Sequence, residues 1–346
     1  MLVEYKDFIW NIVLDVLAKE KASERVLKHL CEIEEAYDFA VDNRLESYIL
    51  LHQVNTLCFN KKISSSLLYR YAETVKNNVK IKRDIEYINS IFKDKLLNYV
   101  FVKGAFFITY IYDIGIRETK DIDLVIEAQD LDKVSYLLKS RNFVQRINTR
   151  DGYRDANRLE IQFALMNNRE VIPFCKAYSD ELIWLDINLY DDCKMEKNAV
   201  QLHTFSITEN IIYHCLELYK ELKSYLYVAT EKNIGLYKFC DLYLLINKYL
   251  VVIEVKKIYD ICFNKGVVKE VYFIFYLMSR LFIKNVRFLN WIYKYIELCN
   301  WINDDYFLYV FDYKKSKKYK CSIDMYEWIF EKNKTKYLYE IENEKV

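Results

Sequence analysis

Apolar positions in the first part of the chain recur every three or four residues, which is the spacing of one face of a helix. One such stripe comprises Ile9, Ile12, Val13, Val16 and Leu17. A second, longer helix is predicted over 64–92, beginning at a run of serines. The pattern therefore predicts an N-terminal helical region over 1–95.

From 96 to 195 the apolar period changes repeatedly between two residues and about 3.6, as it does where short strands alternate with helices. Strands are predicted at 98–102, 121–128, 158–165 and 182–190, and helices at 104–112 and 130–143. Asp130 is expected to cap the second of these helices. This order predicts a small mixed sheet with helices packed on it.

From 196 to 346 the period is mostly helical again. Ser206 and Glu209 have the spacing of a capping box, ahead of an apolar stripe made by Ile211, Cys215, Leu218 and Leu222. Further helices are predicted at 234–249, 252–263 and 268–299. The C-terminal residues predict a strand pair or an irregular cap with a lysine-rich turn at 314–320. The three regions together predict an α+β protein.

The charge balance excludes a strong general attraction to nucleic acid or to anionic lipid. The chain has 346 residues, with 51 lysines and arginines against 50 aspartates and glutamates, so its formal net charge is +1. A field of one sign over the whole surface is therefore not expected. A local basic face is still possible, and the segment 314–320 is the best basic patch available, although such a run is more often a solvated turn.

Cysteine usage and apolar run lengths favour a cytoplasmic location without a membrane span. The nine cysteines are scattered, and none shows the C-x-x-C spacing of a zinc or dithiol site. They are typical of buried thiols in a reducing compartment. Charges interrupt the N-terminal apolar positions, unlike in a signal peptide, and the most apolar windows are much shorter than the roughly 20 residues that cross a bilayer.

Two aspartates, Asp121 and Asp123, stand one residue apart in an otherwise apolar predicted strand. Alternate side chains of a strand share a face, so both carboxylates are expected on the same side, with Cα atoms roughly 6.6 Å apart. Two like charges at this spacing repel unless a cation lies between them. The pair therefore predicts a metal site, with a pair of solvated surface residues as the alternative.

A second predicted strand repeats the arrangement, because "DINL" at 186–189 echoes "DIDL" at 121–124. Asp186 is a third candidate carboxylate if the two strands are neighbours. Glu160 and the pair at 191–192 compete for the same role. Three carboxylates with the phosphates of a nucleotide suffice for two Mg²⁺ or Mn²⁺ ions, which would activate an acceptor hydroxyl and neutralise a triphosphate.

Lys103 and Gly104 lie where a predicted strand meets a predicted helix. The first N–H groups of a helix are free to bind a phosphate, and a glycine lets the phosphate approach without a Cβ in the way. Lys103 or Arg117 could add a positive charge to the same phosphates. Either residue could instead balance the charge of an acidic pocket.

The ordered set of Lys103-Gly104, Arg117, "DIDL" and a later strand carrying Asp186 resembles the DNA-polymerase-β-like nucleotidyltransferase superfamily. In particular it is similar to a bacterial uncharacterised nucleotidyltransferase group whose members read K-G-A, R and D-I-D-L. The motifs cover about 98–190, and helical flanks fit the same group. The resemblance implies a polymerase-β-like core at 96–195 between helical regions at 1–95 and 196–346.

The resemblance implies roles for matching residues. Asp121 and Asp123 would be metal ligands, Asp186 the third carboxylate and candidate base, and Gly104 part of the phosphate turn. Two positions depart from the common pattern. Ala105 follows the glycine where relatives often have a serine that touches a phosphate, and Asn188 stands where many relatives have histidine two residues after the third carboxylate.

A histidine is common in the later helical region of this group, which makes His214 a candidate member of the site. The alternative for His214 is a packed or solvated helical residue. Neither of its helical neighbours Glu217 and Glu221 decides between these readings.

The implied reaction moves a nucleoside monophosphate from a nucleoside triphosphate, with ATP as the guessed donor, to an acceptor hydroxyl or phosphate. The acceptor is open between a small molecule, a peptide or protein side chain, and the 3′ end of a tRNA. One alternative is a toxin-type nucleotidyltransferase acting on tRNA. Another is a catalytically idle scaffold that binds a partner protein. The sequence does not give the oligomeric state.

Overall fold

A computed structural model describes most of the chain. The described residues are 2–18, 34–53, 61–93, 95, 97–149, 152–155, 171–178, 181–190, 202–229, 235–302, 308–312, 317–331 and 333–341. They form two compact units: one contains the residues up to Arg70 together with Ile207–Val346, and the other is Tyr71–Ser206. The predicted boundaries after 95 and after 195 stay a prediction.

The described residues of the N-terminal part form four helices. They are α1 (Leu2–Ala18), α2 (Glu34–Asp42), α3 (Glu46–Gln53) and α4 (Lys61–Phe92). The predicted stripe on α1 is confirmed, since Ile9, Ile12, Val13 and Leu17 are buried and Val16 is partly buried. Helix α4 begins at Lys61, three residues before the serines that were expected to start it.

The unit from Tyr71 to Ser206 is built on a mixed sheet. After α4, the α-helices and strands that the structure describes in this unit are β1 (Tyr99–Val102), α5 (Lys103–Tyr110), β2 (Ile122–Glu127), α6 (Leu131–Lys139), β3 (Val144–Thr149), β4 (Gly152–Asp155), β5 (Val171–Tyr178) and β6 (Glu181–Tyr190). The strand order is β1-β2-β6-β5-β3-β4, in which β2 and β6 are parallel and the other neighbours antiparallel. The predicted α+β class with a small mixed sheet is confirmed.

The core of this unit lies between the sheet and the apolar face of α4. Ile81, Ile85 and Ile88 of α4 belong to the same buried cluster as Leu124 of β2 and Leu185 of β6. Strand β2 is buried over nearly its whole length, as expected for a strand in the interior of a sheet. The buried apolar residues of β2 thus hold in place the strand that carries Asp123.

Two local predictions in this unit have different outcomes. Asp130 does not cap α6 with its side chain, because it ends a 3₁₀ turn with φ −88° and ψ −4°, whereas a capping side chain usually requires extended backbone. The strand predicted at 158–165 lies outside the described residues, and so does Glu160.

The next described helices along the chain belong to the other unit. They are α7 (Ile207–Lys223), α8 (Tyr225–Ala229), α9 (Tyr237–Tyr249), α10 (Val255–Asn264), α11 (Val268–Leu281) and α12 (Val286–Leu298). The predicted apolar stripe of α7 is confirmed by the burial of Ile211, Cys215, Leu218 and Leu222. Within the described residues, no helix combines the length and the apolar character needed to cross a membrane.

The single helix predicted over 268–299 is wrong, because the chain forms α11 and α12 with a break between them. Phe282 leaves the helical conformation at φ −108° and ψ 50°. Asn285 then caps α12, its side-chain oxygen accepting the N–H of Phe288 at 3.0 Å. A strong N-cap inside an apolar periodic run allows a helix to restart there without losing its buried face.

The C-terminal residues form a second, smaller sheet. Its strands β7 (Tyr309–Asp312), β8 (Lys317–Cys321) and β9 (Leu338–Glu340) are antiparallel in that order, with helix α13 (Met325–Ile329) between β8 and β9. The prediction of a strand pair is therefore right for β7 and β8 but misses β9. Strand β8 takes up the second half of the lysine-rich segment.

Candidate active site

The sheet register brings two of the predicted carboxylates together. Strands β2 and β6 are parallel neighbours, and Asp123 is the register partner of Asp186. Asp123 is buried, with 5% of its surface exposed, whereas Asp186 is partly buried. Asp121 immediately precedes β2 and is exposed. Asp123 and Asp186 thus lie on two adjacent strands, and Asp121 lies directly before the first of them.

Lys103 lies against the same carboxylates because β1 pairs with β2. Val102 is the register partner of Asp123, and the next residue, Lys103, donates from Nζ to Asp123 Oδ1 at 2.9 Å. Lys103 has φ +47°, a left-handed backbone conformation that is unfavourable for a lysine. A strained backbone conformation persists only where the surrounding structure stabilises it, and residues of this kind are often found at functional sites.

Gly104 fills a position that has no room for a side chain. A Cβ at this position would lie 2.5 Å from Thr119 Cγ2 and 3.2 Å from Arg117 Nη1. Arg117 Nη1 donates to Thr119 Oγ1 at 2.6 Å, and the guanidinium carbon of Arg117 lies 5.3 Å from the centre of the Phe107 ring. The loop before β2 is therefore packed directly on the first turn of α5.

Asn78 of α4 holds this loop from the other side. Its amide nitrogen donates to the carbonyl of Arg117 at 2.9 Å, and its oxygen accepts the N–H of Gly115 at 3.0 Å. Asn78 is 1% exposed, so both bonds are made away from water. Asn78 and Thr119 are not among the site residues predicted from the sequence. The available signal for Asn78 was an amide in the apolar stripe of a long helix, next to Ile81 and Ile85.

The three carboxylates influence one another electrostatically. Burial, then the charges of Asp123 and Asp121, raise the pKa of Asp186 to about 7 against the opposing effect of Lys103. Surrounding protein atoms partly desolvate the Asp121 carboxylate although the residue is exposed. This desolvation, then the charge of Asp123, raises the pKa of Asp121, while Lys103 and Arg117 lower it. Two cationic side chains therefore compensate this acidic cluster only in part.

The donor set fits an open magnesium site better than an enclosed one. In the part of the chain that the structure describes, no three His, Cys, Asp or Glu side chains converge closely enough to enclose a metal ion. The site offers hard carboxylate oxygens on adjacent strands, with the Lys103 ammonium on one of them. Mg²⁺ commonly takes one or two protein carboxylates and fills its remaining positions with waters and substrate phosphates.

Comparison with known protein families bears on what such a site does. The model of a family described as "Uncharacterised nucleotidyltransferase" matches residues 7–283, which include every residue of the site described above. The chain belongs to this nucleotidyltransferase family. No curated protein and no solved structure shows significant similarity to it.

Other predicted site residues of this nucleotidyltransferase-family protein are placed differently. Ala105 is completely buried in the core, so only its backbone faces the turn. Asn188 lies in β6 as the register partner of Val125. His214 belongs to α7 in the other unit, where it is 8% exposed and contacts the Tyr213 ring edge-on at 5.7 Å. The structure thus brings together Lys103, Gly104, Arg117, Asp121, Asp123 and Asp186.

Proposed function

We propose that this protein is a metal-dependent nucleotidyltransferase that moves a nucleoside monophosphate from a nucleoside triphosphate to an acceptor hydroxyl or phosphate. The observation that carries the proposal is the cross-strand pair of Asp123 and Asp186 beside the start of α5. A carboxylate cluster next to a helix N-terminus provides a cation site and a phosphate site side by side. ATP remains the guessed donor.

The first turn of α5 is suited to bind the triphosphate. The helix begins at Lys103, and Val102 provides no side-chain cap for its first N–H groups. These groups carry the positive end of the helix dipole, which favours an anion. Gly104 lets the loop that carries Arg117 pack against this turn. Lys103 adds an ammonium that can pair with a phosphate oxygen.

Asp121, Asp123 and Asp186 would hold the two Mg²⁺ or Mn²⁺ ions that the proposal requires. When bound, the ions would supply Lewis acidity for the α-phosphate and charge neutralisation for the leaving pyrophosphate. The raised pKa values of Asp121 and Asp186 indicate that Lys103 and Arg117 supply too little positive charge for all the carboxylates to ionise readily. A cation bound among the carboxylates would supply that charge and favour their ionised forms. Lys103 occupies one carboxylate oxygen of Asp123 and lies close enough to the turn to serve a phosphate instead.

The transfer would proceed by in-line displacement. The acceptor oxygen forms a bond to the α-phosphorus, the bond from that phosphorus to the bridging oxygen of the β-phosphate breaks, and pyrophosphate leaves. Asp186 would accept the proton of an acceptor hydroxyl. Arg117 would keep the loop before β2 packed on α5 through Thr119, which positions Asp121.

A label-transfer assay tests this function. The purified protein is incubated with each of the four α-³²P-labelled nucleoside triphosphates, Mg²⁺ or Mn²⁺, and cell extract as the source of acceptor. We expect label in one acceptor class, whether RNA, protein or small molecule, and loss of at least a hundredfold in Asp123→Asn and Asp121→Asn, as for other residues that organise transition-state charge.

Asp132→Asn is the matched control, because it makes the same chemical change at an exposed residue in the first turn of α6. Its activity should equal that of the unaltered protein. Absence of transfer together with absence of metal-dependent nucleotide binding by calorimetry would refute the enzyme and favour the idle scaffold.

A further inference from the structure

The small C-terminal sheet separates its side chains into two chemically different faces. Residues opposite each other in antiparallel strands share a face. Tyr309 is the register partner of Lys320, Lys320 of Tyr339, and Phe311 of Lys318. These five residues therefore line one side of the sheet, named here the lysine–tyrosine face.

The opposite face carries the acidic residues and the buried ones. Asp312 is the register partner of Lys317, and Lys317 Nζ lies 2.7 Å from a carboxylate oxygen of Glu340. Val310 and Cys321 of the same face are buried. The apolar side chains of that face are therefore buried, and its acidic side chains lie beside a lysine of the same face.

The lysine–tyrosine face keeps its positive charge. Among the described residues of the three strands, it carries two lysines and no carboxylate, because both acidic side chains lie on the other side. Lys318 Nζ lies 3.8 Å from the centre of the Tyr309 ring, a cation–π contact that leaves the charge uncompensated by an acid. The face therefore attracts anions, although the net charge of the chain is only +1.

The face also offers aromatic rings to a ligand. Tyr339 exposes 49% of its surface, and Tyr309 and Phe311 are partly exposed. The rings lie on the two outer strands and the lysines on the central one. With adjacent strands about 4.8 Å apart, rings on β7 and β9 are separated by about 10 Å, with the ammonium groups between them.

We propose that the lysine–tyrosine face binds single-stranded nucleic acid. Unpaired bases can stack on the rings of the outer strands while the phosphates between them pair with Lys318 and Lys320. A duplex hides the faces of its bases and could use the two lysines alone. The inference does not depend on the carboxylate site, and the family match ends at residue 283, before β7.

Fluorescence anisotropy with labelled oligouridylate and oligothymidylate of about 12 nucleotides tests the proposal on the full-length protein. We expect at least one of the two single strands to bind at least tenfold more tightly than a duplex of equal length. Tyr339→Ala should weaken binding by about fivefold or more, since a stacked base contributes that much.

Removing both lysines should change the salt dependence of binding as well as the affinity. Each phosphate contact contributes about 0.7 to the slope of log K against log salt for a single strand. The variant Lys318→Ala/Lys320→Ala should therefore reduce that slope by about 1.4.

The control Lys317→Ala/Lys336→Ala also removes two positive charges, but from lysines outside the lysine–tyrosine face. Lys317 pairs with Glu340, and Lys336 pairs with Glu331. This control should retain the affinity and the slope of the unaltered protein, and circular dichroism should show all variants folded. Equal losses in both pairs, a preference for duplex, or no binding of either single strand would overturn the proposal.

Discussion

At the scale of single residues, the candidate site depends on where three strands and one helix begin and end. Asp123 lies opposite Asp186 because β2 and β6 pair in parallel in a register that also aligns their buried apolar residues. Lys103 reaches Asp123 because β1 ends one residue earlier, opposite it. The closest packing is at Gly104, where the loop before β2 touches α5.

Gly104→Ala should destabilise the protein although alanine is the better helix former. The new methyl would lie 2.5 Å from Thr119 Cγ2, so Thr119 and the Arg117 guanidinium bonded to it must move. Overpacking of this kind costs about 1–3 kcal/mol, against at most about 1 kcal/mol gained in helix propensity. The free energy of unfolding in urea measures the difference.

The double variant Gly104→Ala/Thr119→Ser tests the cause. Serine removes the methyl nearest to the new Cβ and keeps the hydroxyl that accepts from Arg117. It should recover at least half of the lost stability, as coupled neighbours do in a double-mutant cycle. An additive double variant, or a neutral Gly104→Ala, would show that the contact with Thr119 does not limit the turn.

The residues of this site differ in how far the sequence could predict them. Asp121, Asp123, Asp186, Lys103 and Gly104 could be singled out because charge or glycine at an apolar strand end is visible in the sequence itself. Thr119 and Asn78 could not, because their roles depend on contacts with distant parts of the chain.

At the scale of elements, α4 supports the loop that carries Arg117. The helix was predictable from its apolar period, whereas its bond to the loop was not, since Asn78 lies 39 residues from Arg117. The same limit explains the error at 268–299. The apolar period continues across the break, and only the cap made by Asn285 shows that a new helix begins.

Asn78→Ala should both destabilise the protein and impair transfer. It leaves the Gly115 N–H and the Arg117 carbonyl without their buried partner, and an unsatisfied buried group costs about 1–3 kcal/mol. Urea unfolding should show the loss of stability. The rate of label transfer should fall more than nucleotide binding, because the loop leads directly into Asp121.

Asn77→Ala is the matched control, because it makes the same change at the adjacent, partly exposed residue of α4. It should change stability by less than about 0.5 kcal/mol, as surface substitutions usually do. Equal effects of the two substitutions would contradict the role given to Asn78.

At the scale of the whole molecule, the candidate site lies in one compact unit, and most of the described helices lie in the other. The mixed sheet and the helical flanks follow from periodicity, which the sequence contains. The joining of the N-terminal and C-terminal segments in one unit does not, since it depends on contacts between residues far apart in the chain. The helical unit also contains a fully buried lysine, Lys223 of α7, whose burial could not be predicted from the apolar period.

Lys223 should make stability depend on pH. Burial lowers its pKa to about 7, although Phe273 lies 4.4 Å below the ammonium and favours the charged form. In the unfolded chain the amine keeps its proton to about pH 10, so unfolding takes up a proton between these values and stability rises with pH. The cost of burying the charge is fully present below pH 7 and is relieved above it.

Lys223→Met should remove this dependence while keeping the volume of the side chain. The stability of the unaltered protein relative to the variant should rise by about 1–2 kcal/mol between pH 7 and pH 8.5, measured by urea unfolding at both values. Lys220→Met, one turn earlier on α7 at a partly exposed residue, should retain the pH dependence of the unaltered protein. Parallel curves for Lys223→Met and the unaltered protein would contradict this account of Lys223.

The most direct test of the central claim compares the fate of two phosphates of the same donor. The preferred nucleoside triphosphate is labelled at either the α- or the γ-phosphate and incubated with the acceptor that the first assay identifies. We expect α-label on the acceptor, γ-label in pyrophosphate, and neither product with Asp123→Asn. Transfer of the γ-label to the acceptor, or undiminished transfer by Asp123→Asn, would contradict nucleotidyl transfer at this site.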